Sequence, residues 1–308
     1  MGADQTLRFG CVARDPGESR AAWLERVDRV DHDGYDVLLL PDHLGIWPPF
    51  SPLVAAAEVT DRLRFGTQVL NIEFWNPVLL AREAAAVDVL TDGRLELGFG
   101  AGHAEDEFRA AGLRYPPGGE RVDHLAEAVP LVRRLLAGEE VTVDGHYGLV
   151  NSATRLRTSQ NRVPVMVGGN GDRVLAIAGQ HADIASLVGF ASGTGHGPRA
   201  LSHFDWDGLA DRIGYVRRAA ADRADDIELS VLVQAVVITD DRAGTGEKVA
   251  SSFRLSPEAV LESPFVMIGS SEALVDHVRR LQHDHGVSYI TVFEQFAQSL
   301  ARVIERLR

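Results

Sequence analysis

Residues 63–100 read LRFGTQVLNIEFWNPVLLAREAAAVDVLTDGRLELGFG and contain a complete strand–helix–strand pattern. Leu63–Leu70 is a short apolar run, typical of a strand that is covered on both faces. Asn76-Pro77 opens a helical segment, because proline is favoured at the first helical position. Asp92-Gly93 predicts a tight turn, and Arg94–Phe99 is the next apolar run. The order predicts two parallel strands joined by a helix.

The same alternation extends in both directions along the chain. Eight short apolar runs separated by helical segments are the number expected for a (β/α)8 barrel. A doubly wound open sheet is the competing fold, but no G-x-G-x-x-G motif follows the first run. The runs are Leu7–Val12, Tyr35–Leu40, Leu63–Leu70, Arg94–Phe99, Val163–Val167, Ile184–Val188, Leu229–Ile238 and Val287–Phe293.

Three segments interrupt this repeat. Val141–Val150 carries Asp144-Gly145, a hairpin signal, after the fourth strand. Gly189–Pro198, with His196, has the Gly- and Ser-rich composition of a mobile loop after the sixth strand. Thr239–Glu262 is polar and predicted to be an irregular insertion after the seventh strand. No linker-like change in composition divides the chain, so residues 1–308 are predicted to form one domain.

The overall composition limits the function. The 31 basic and 44 acidic residues give a formal net charge of −13, which argues against a nucleic-acid partner. Cys11 is the only cysteine, so neither a disulfide framework nor a thiolate zinc site is expected. No apolar run is long enough to span a bilayer, and the N-terminal residues lack the apolar core of a signal peptide. These features predict a cytoplasmic protein without a membrane partner.

The residues after each run are candidates for catalysis, because the active site of such a barrel lies at the carboxyl ends of its strands. Asp42, His43 and Trp47 follow the second run. His43 is the best candidate for acid–base chemistry, since imidazole titrates near neutrality. A histidine is more often structural, but this position favours a function. Asp42 need not orient His43, because neighbouring side chains on an extended segment point apart.

Two glycine-rich stretches indicate close approach of a ligand to the backbone. Gly168, Gly169 and Gly171 lie between a strand and a helix, where free amides and the helix dipole favour a phosphate. Gly98, Gly100 and Gly102 alternate at the end of the fourth run and leave room for a flat ring system. The alternatives are a tight turn at the first stretch and a β-bulge at the second.

No metal site is predicted. The chain contains no H-E-x-x-H, P-loop or G-x-S-x-G motif. His103, Glu105, Asp106 and Glu107 could suggest a metal cluster. A solvated helix start explains these acids more simply, because carboxylates are favourable near the positive end of the helix dipole.

Residues 76–113, NPVLLAREAAAVDVLTDGRLELGFGAGHAEDEFRAAGL, closely resemble the luciferase-like monooxygenase superfamily, and more narrowly its coenzyme F420-dependent branch. Residues 164–183 and 268–293 resemble two further elements of that family. The positions that carry the first pattern are Pro77, Asp88, Thr91–Arg94, Gly98–Gly102, Glu107 and Gly112.

The resemblance implies a TIM barrel of the bacterial luciferase-like type, with insertions after strands 4, 6 and 7, that holds a flavin or deazaflavin at the strand ends. Asp42, His43 and Trp47 match a motif in which the histidine is an acid or base beside the ring and the tryptophan shapes the substrate side. The resemblance also implies a non-proline cis peptide at Gln68–Val69 that supports the ring, and a phosphate site at Gly168–Gly171.

The sequence departs from the family pattern at His103. Family members carry a glutamate at this position, and it acts as an acid beside the ring. A sugar-phosphate dehydrogenase reaction is therefore not implied. The expected catalytic residues are His43, Trp47 and His103. The expected cofactor-binding residues are Asp42, Gln68, Val69, Asn71, Gly100, Ala101, Gly102, Gly168, Gly169, Asn170 and Gly171.

The function that the resemblance implies is hydride transfer between coenzyme F420 and a small organic substrate, with an activated C=C, C=N or C=O bond and with His43 as proton donor or acceptor. One alternative is an FMN-dependent monooxygenase that uses O2 and a partner reductase. Another is a barrel that binds a flavin without catalysis. Relatives often dimerise, so a homodimer is also expected.

Overall fold

Eight parallel strands form a closed barrel in the computed structural model, which describes residues 6–14, 19–153, 155–191, 200–201 and 203–308. Each strand pairs with the next along the chain, and the eighth pairs with the first, where Gly10 lies opposite Thr291. The predicted (β/α)8 barrel is confirmed, because an open sheet would leave two unpaired edges. The strands are β1 (Arg8–Val12), β2 (Val37–Leu40), β3 (Arg64–Thr67), β4 (Leu95–Gly100), β5 (Val165–Gly169), β6 (Ile184–Leu187), β7 (Glu228–Val233) and β8 (Val287–Phe293).

Eight helices, each following the strand of the same number, cover the barrel. Local signals define their ends: Ser19 Oγ accepts a hydrogen bond from Ala22 N at 3.2 Å, and Asn76 caps the helix that Pro77 begins. Among the described residues, no helix has the length and apolar character needed to cross a membrane. The helices are α1 (Arg20–His32), α2 (Phe50–Ala57), α3 (Pro77–Leu90), α4 (Gly118–Leu136), α5 (Asp172–His181), α6 (Trp206–Ala220), α7 (Ser271–His285) and α8 (Ala297–Leu307).

Shorter elements extend three of the connections. After β4 come the helix Glu105–Ala110 and, beyond α4, the hairpin of Val141–Gly145 and Gly148–Ser152. After β6 the strands Phe190–Ala191 and Ala200–Leu201 pair. Residues 192–198 of the predicted loop, including His196, lie outside the described residues. The described residues also form the two-residue strand Leu70–Asn71 and the 3-10 helices Ile72–Phe74, Ala221–Asp226 and Glu294–Phe296.

The segment after β7 differs from the sequence prediction. The predicted run Leu229–Ile238 divides at Gln234, and its second part, Ala235–Ile238, pairs in parallel with Val266–Gly269 outside the barrel. The prediction of an irregular segment at Thr239–Glu262 is wrong, because it contains the helices Arg242–Phe253 and Pro257–Leu261.

Buried ion pairs fill the amino-terminal end of the barrel. Glu96 is buried and accepts hydrogen bonds from Arg8 Nη1 and Arg64 Nε, both at 2.6 Å, while Arg8 Nη2 also reaches Glu228 at 2.7 Å. The Arg8 guanidinium lies 4.3 Å from the centre of the Tyr289 ring. Burial alone would lower the pKa of Arg8, but its acidic neighbours outweigh burial and raise it. These contacts occupy the end of the barrel opposite the carboxyl ends of the strands.

Candidate active site

A cavity of about 1500 Å³ lies at the carboxyl ends of the barrel strands. Each strand end, or the loop directly after it, contributes to the wall. The topology therefore brings residues that are distant in sequence to one place, as the sequence predicts for this fold. One contribution from each strand, in order, is Arg14, His43, Gln68, Ala101, Gly168, Val188, Gln234 and Phe293.

The sequence-predicted site residues, except Trp47, line this cavity. Trp47 lies in the loop after β2, where it is 42% exposed and is not part of the cavity wall. The roles of all these residues stay predictions, because the cavity shows their positions only. The residues in the wall are Asp42, His43, Gln68, Val69, Asn71, Gly100, Ala101, Gly102, His103, Gly168, Gly169, Asn170 and Gly171.

Asp42 connects the ends of β2 and β3. Its Oδ2 accepts hydrogen bonds from the indole Nε1 of Trp75 at 2.8 Å and from the backbone N of Asn71 at 3.2 Å. Burial raises the pKa of Asp42, while these two hydrogen bonds act in the opposite direction. The carboxylate therefore holds the two strand ends together, and it is not hydrogen-bonded to the imidazole of His43.

His43 is held by a carboxylate that sequence reasoning assigned to a solvated helix start. Its Nδ1 lies 2.7 Å from Oε1 of Glu107, in the first turn of the helix Glu105–Ala110. The ring of His103 stands edge-on to the His43 ring, with 5.7 Å between the ring centres. The helix start predicted at residues 105–107 is confirmed. The sequence does not show that this first turn faces the end of β2.

Val69 occupies the space that several glycines leave open. A Cβ atom at Gly98 would lie 2.0 Å from the carbonyl oxygen of Thr67, and one at Gly100 would lie 2.5 Å from Cγ2 of Val69. A Cβ atom at Gly168 would lie 3.1 Å from Cγ1 of Val69. The room predicted for a flat ring is therefore partly filled by the chain itself. The peptide bond Gln68–Val69 is cis, as the resemblance implies.

Gln68 presents a polar atom without a partner at the cavity wall. Its Nε2 donates a hydrogen bond to Ser186 Oγ at 3.0 Å. Its Oε1 is buried and has no hydrogen-bond partner among the described residues. A buried amide oxygen in this state favours a ligand that can donate a hydrogen bond to it.

Two helix starts with free backbone amides border one side of the cavity. Helix α5 begins after Gly171 and α4 begins after Pro117, and neither cap residue supplies a side-chain hydrogen bond. Arg173 Nη1 donates to the carbonyl oxygen of Gly119 at 3.1 Å, which connects the two helix starts. The backbone amides of the two helix starts and their dipoles favour an anionic group here, while the Arg173 guanidinium is paired with Asp123. Among the described residues, no group of three or more potential ligands could hold a metal ion.

Several known proteins are similar to this chain. An F420-dependent glucose-6-phosphate dehydrogenase from Microbacterium testaceum is 33% identical over 58% of this chain and 55% of its own length. The same-named enzyme from Intrasporangium calvum is 36% identical over 50% of each chain. The chain thus spans about half the length of these curated relatives.

A solved structure of an F420-dependent secondary alcohol dehydrogenase in complex with an F420-acetone adduct superposes with a TM-score of 0.78. It covers 99% of this chain and 100% of that one at 19% identity, a level that supports the shared fold alone. The family model for the luciferase-like monooxygenases matches residues 7–289. Together with the closed barrel and its strand-end cavity, this match shows that the chain belongs to the luciferase-like monooxygenase family.

Proposed function

We propose that this chain is an F420-dependent oxidoreductase that transfers a hydride between the deazaflavin and a small organic substrate. The observation that carries the proposal is a cavity in which an ionisable imidazole, an unpartnered amide oxygen and an anion-binding backbone face one space. The names of the curated relatives support F420 as the cofactor.

The residues of the cavity fit such a cofactor. Val69 would support one face of the ring, and the buried Gln68 Oε1 would accept a hydrogen bond from a ring N–H. The amides of Gly168–Gly171 and the start of α5 would hold the phosphate of the tail. When bound, oxidised or reduced F420 supplies a two-electron hydride acceptor or donor.

His43 would move the proton that accompanies the hydride. Nδ1 is engaged by Glu107, so Nε2 is the nitrogen available to the substrate. In the direction of oxidation, neutral Nε2 removes the proton of a substrate hydroxyl. In the direction of reduction, the imidazolium donates a proton to the oxygen, nitrogen or carbon atom of the C=O, C=N or C=C bond that is reduced. His103 is a second imidazole at the same cavity, edge-on to His43.

A fluorescence titration of the purified protein with oxidised F420 and with FMN tests the cofactor. We expect saturable binding of F420. Binding of FMN alone, with substrate-dependent oxygen consumption, would instead support the monooxygenase, and binding of neither would overturn the proposal. Saturable F420 binding without turnover of any probe would support the non-catalytic barrel.

Replacing His43 with alanine separates binding from chemistry. The probes are glucose 6-phosphate and 2-propanol, chosen from the chemistry that the names of the similar proteins state. We expect turnover to fall by about 100-fold or more, with F420 affinity within about twofold of wild type. His283→Ala, at an exposed histidine on α7, is the matched control and should retain both. Loss of F420 binding in His43→Ala would show a structural role.

We also propose that the chain forms a homodimer through the outer face of α3. Leu79, Ala86 and Leu90 lie along one line of this helix and are exposed. Arg82 and Glu83 lie between them and form no ion pair within the described residues. An apolar line with two opposite charges at its centre is complementary to a second copy of itself.

A further inference from the structure

A short contact joins two residues that lie 64 positions apart at the cavity. His43 follows β2, and Glu107 lies in the first turn of the helix Glu105–Ala110; the Nδ1–Oε1 distance is 2.7 Å. The Glu107 side chain is 18% exposed, whereas that of His43 is 41% exposed. The carboxylate is therefore the sheltered partner, and the imidazole is the one that faces open space.

The chemistry of the two groups fixes the hydrogen between them. An ionised carboxylate only accepts hydrogen bonds, so Nδ1 of His43 carries the hydrogen. Nε2 of the neutral ring then has a free lone pair and can act as a base. When Nε2 gains a proton, the adjacent negative charge stabilises the imidazolium.

We propose that Glu107 is the positioning residue for His43, holding its imidazole as the Nδ1–H tautomer and stabilising its protonated form. The catalytic consequence rests on the function proposed above; the contact itself does not. In the oxidation direction Nε2 would take the proton of a substrate hydroxyl, and bound oxidised F420 would supply the acceptor for the hydride of the same carbon, so that a carbonyl would form. Glu107 stays ionised throughout and exchanges no proton.

The other ionisable groups around His43 do not replace Glu107. Asp42 is the adjacent residue, but the hydrogen bonds of its Oδ2 go to Trp75 and Asn71. His103 meets the His43 ring edge-on at 5.7 Å between centres, which is a ring contact and brings no negative charge. Among the described residues, Glu107 is therefore the carboxylate that touches the imidazole.

Long-range ¹H–¹⁵N correlation spectra of the histidine rings test the contact without cofactor or substrate. The signal of residue 43 is identified by its absence in His43→Gln. In the wild-type protein we expect the Nδ1–H tautomer at high pH. In Glu107→Gln the preference for Nδ1–H should weaken, because a neutral carboxamide can also donate a hydrogen bond to the ring. An Nε2–H tautomer in wild type would overturn the proposal even if no variant folded.

Asp106→Asn is the matched control. Asp106 lies in the same helical turn, its side chain is 91% exposed, and it pairs with Arg109. The substitution therefore removes the same charge as Glu107→Gln, but outside the cavity. This variant should leave the tautomer of His43 as it is in wild type. An equal loss of the Nδ1–H tautomer in both variants would show a general charge effect and would overturn the specific role of Glu107.

Kinetics with F420 and the substrate probe provide the second readout. Glu107→Gln should lower kcat for oxidation by about tenfold or more, with KM and F420 affinity within about twofold of wild type. Glu107→Asp should restore part of the rate. A merely structural role would change KM or F420 affinity together with kcat. If the protein turned over no probe, the proposed function would fail. The tautomer of His43 would still show whether Nδ1 donates its hydrogen to Glu107.

Discussion

At the scale of single residues, three glycines of the site leave room for the chain itself. Gly98, Gly100 and Gly168 leave space into which the segment Thr67–Val69 fits. Val69 in turn lines the cavity. A glycine pattern at strand ends thus indicates close approach correctly, but the sequence does not say whether the neighbour is a ligand or another strand.

Gly98→Ala should therefore destabilise the fold far more than Gly171→Ala. The added methyl group at residue 98 would lie 2.0 Å from a backbone oxygen, so the barrel must shift to admit it. A Cβ atom at Gly171 would meet nothing within 4 Å. We expect a loss of about 3 kcal/mol at Gly98 and less than about 1 kcal/mol at Gly171, measured by urea denaturation. Equal losses would contradict this account.

At the scale of elements, helix α7 is joined to the insertion after β7 by a buried histidine. His277 Nε2 donates a hydrogen bond to the carbonyl oxygen of Pro264 at 3.1 Å, and its ring packs against Trp206. Burial lowers the pKa of His277 to about 4, and Arg280 and Arg242 act in the same direction. The ring is therefore neutral in the folded protein at neutral pH.

The stability of the fold should consequently fall in mild acid. The unfolded chain binds a proton at His277 below its ordinary pKa of about 6.5, whereas the folded chain binds it only near 4. The stabilisation is complete above pH 6.5 and is lost as the pH falls towards 4, by on the order of 3 kcal/mol. Urea denaturation of wild type and His277→Gln at several pH values measures this.

His277→Gln should show a flatter dependence on pH over that range, since glutamine can donate to Pro264 without titrating. His283→Gln, an exposed position on the same helix, should keep the wild-type slope. If both variants lost stability between pH 6.5 and 4 as steeply as wild type, His277 would not be the group responsible.

The barrel elements were predictable because each depends on local signals. The apolar runs, Ser19, Asn76-Pro77 and Asp92-Gly93 define strands, caps and turns within a few residues. The helix Arg242–Phe253 was missed because it has no apolar stripe. It depends on distant contacts: Arg242 donates to the carbonyl oxygens of Ile268 and Leu261, and Gly246 packs against Leu261. Such contacts leave no pattern in the segment itself.

At the scale of the whole molecule, the closed barrel brings residues that are distant in the sequence together at the carboxyl ends of its strands. This rule predicts from the sequence that His43, His103 and Gly168–Gly171 surround one cavity, as they do. It does not predict the contact between His43 and Glu107, because it gives the positions of the strand ends and not the orientation of each side chain. The sequence position and the imidazole group indicate acid–base chemistry at His43, whereas the roles of Trp47 and His103 come from the family resemblance.

The outer surface of the barrel carries the last prediction, the homodimer through α3. A two-fold axis that passes between Arg82 and Glu83 would make the two copies of α3 antiparallel. Arg82 of one copy would then lie opposite Glu83 of the other, and Leu79 would lie opposite Ala86, because the numbers of facing residues add up to the same total. Light scattering should give the mass of two 33.4 kDa chains. Arg82→Glu should weaken the dimer, and the double exchange Arg82→Glu with Glu83→Arg should restore it. Leu79→Glu should yield monomers, whereas Leu149→Glu, at a leucine that is 69% exposed on the hairpin, should not. A monomeric wild type, or a Leu149 variant as disruptive as Leu79→Glu, would contradict this interface.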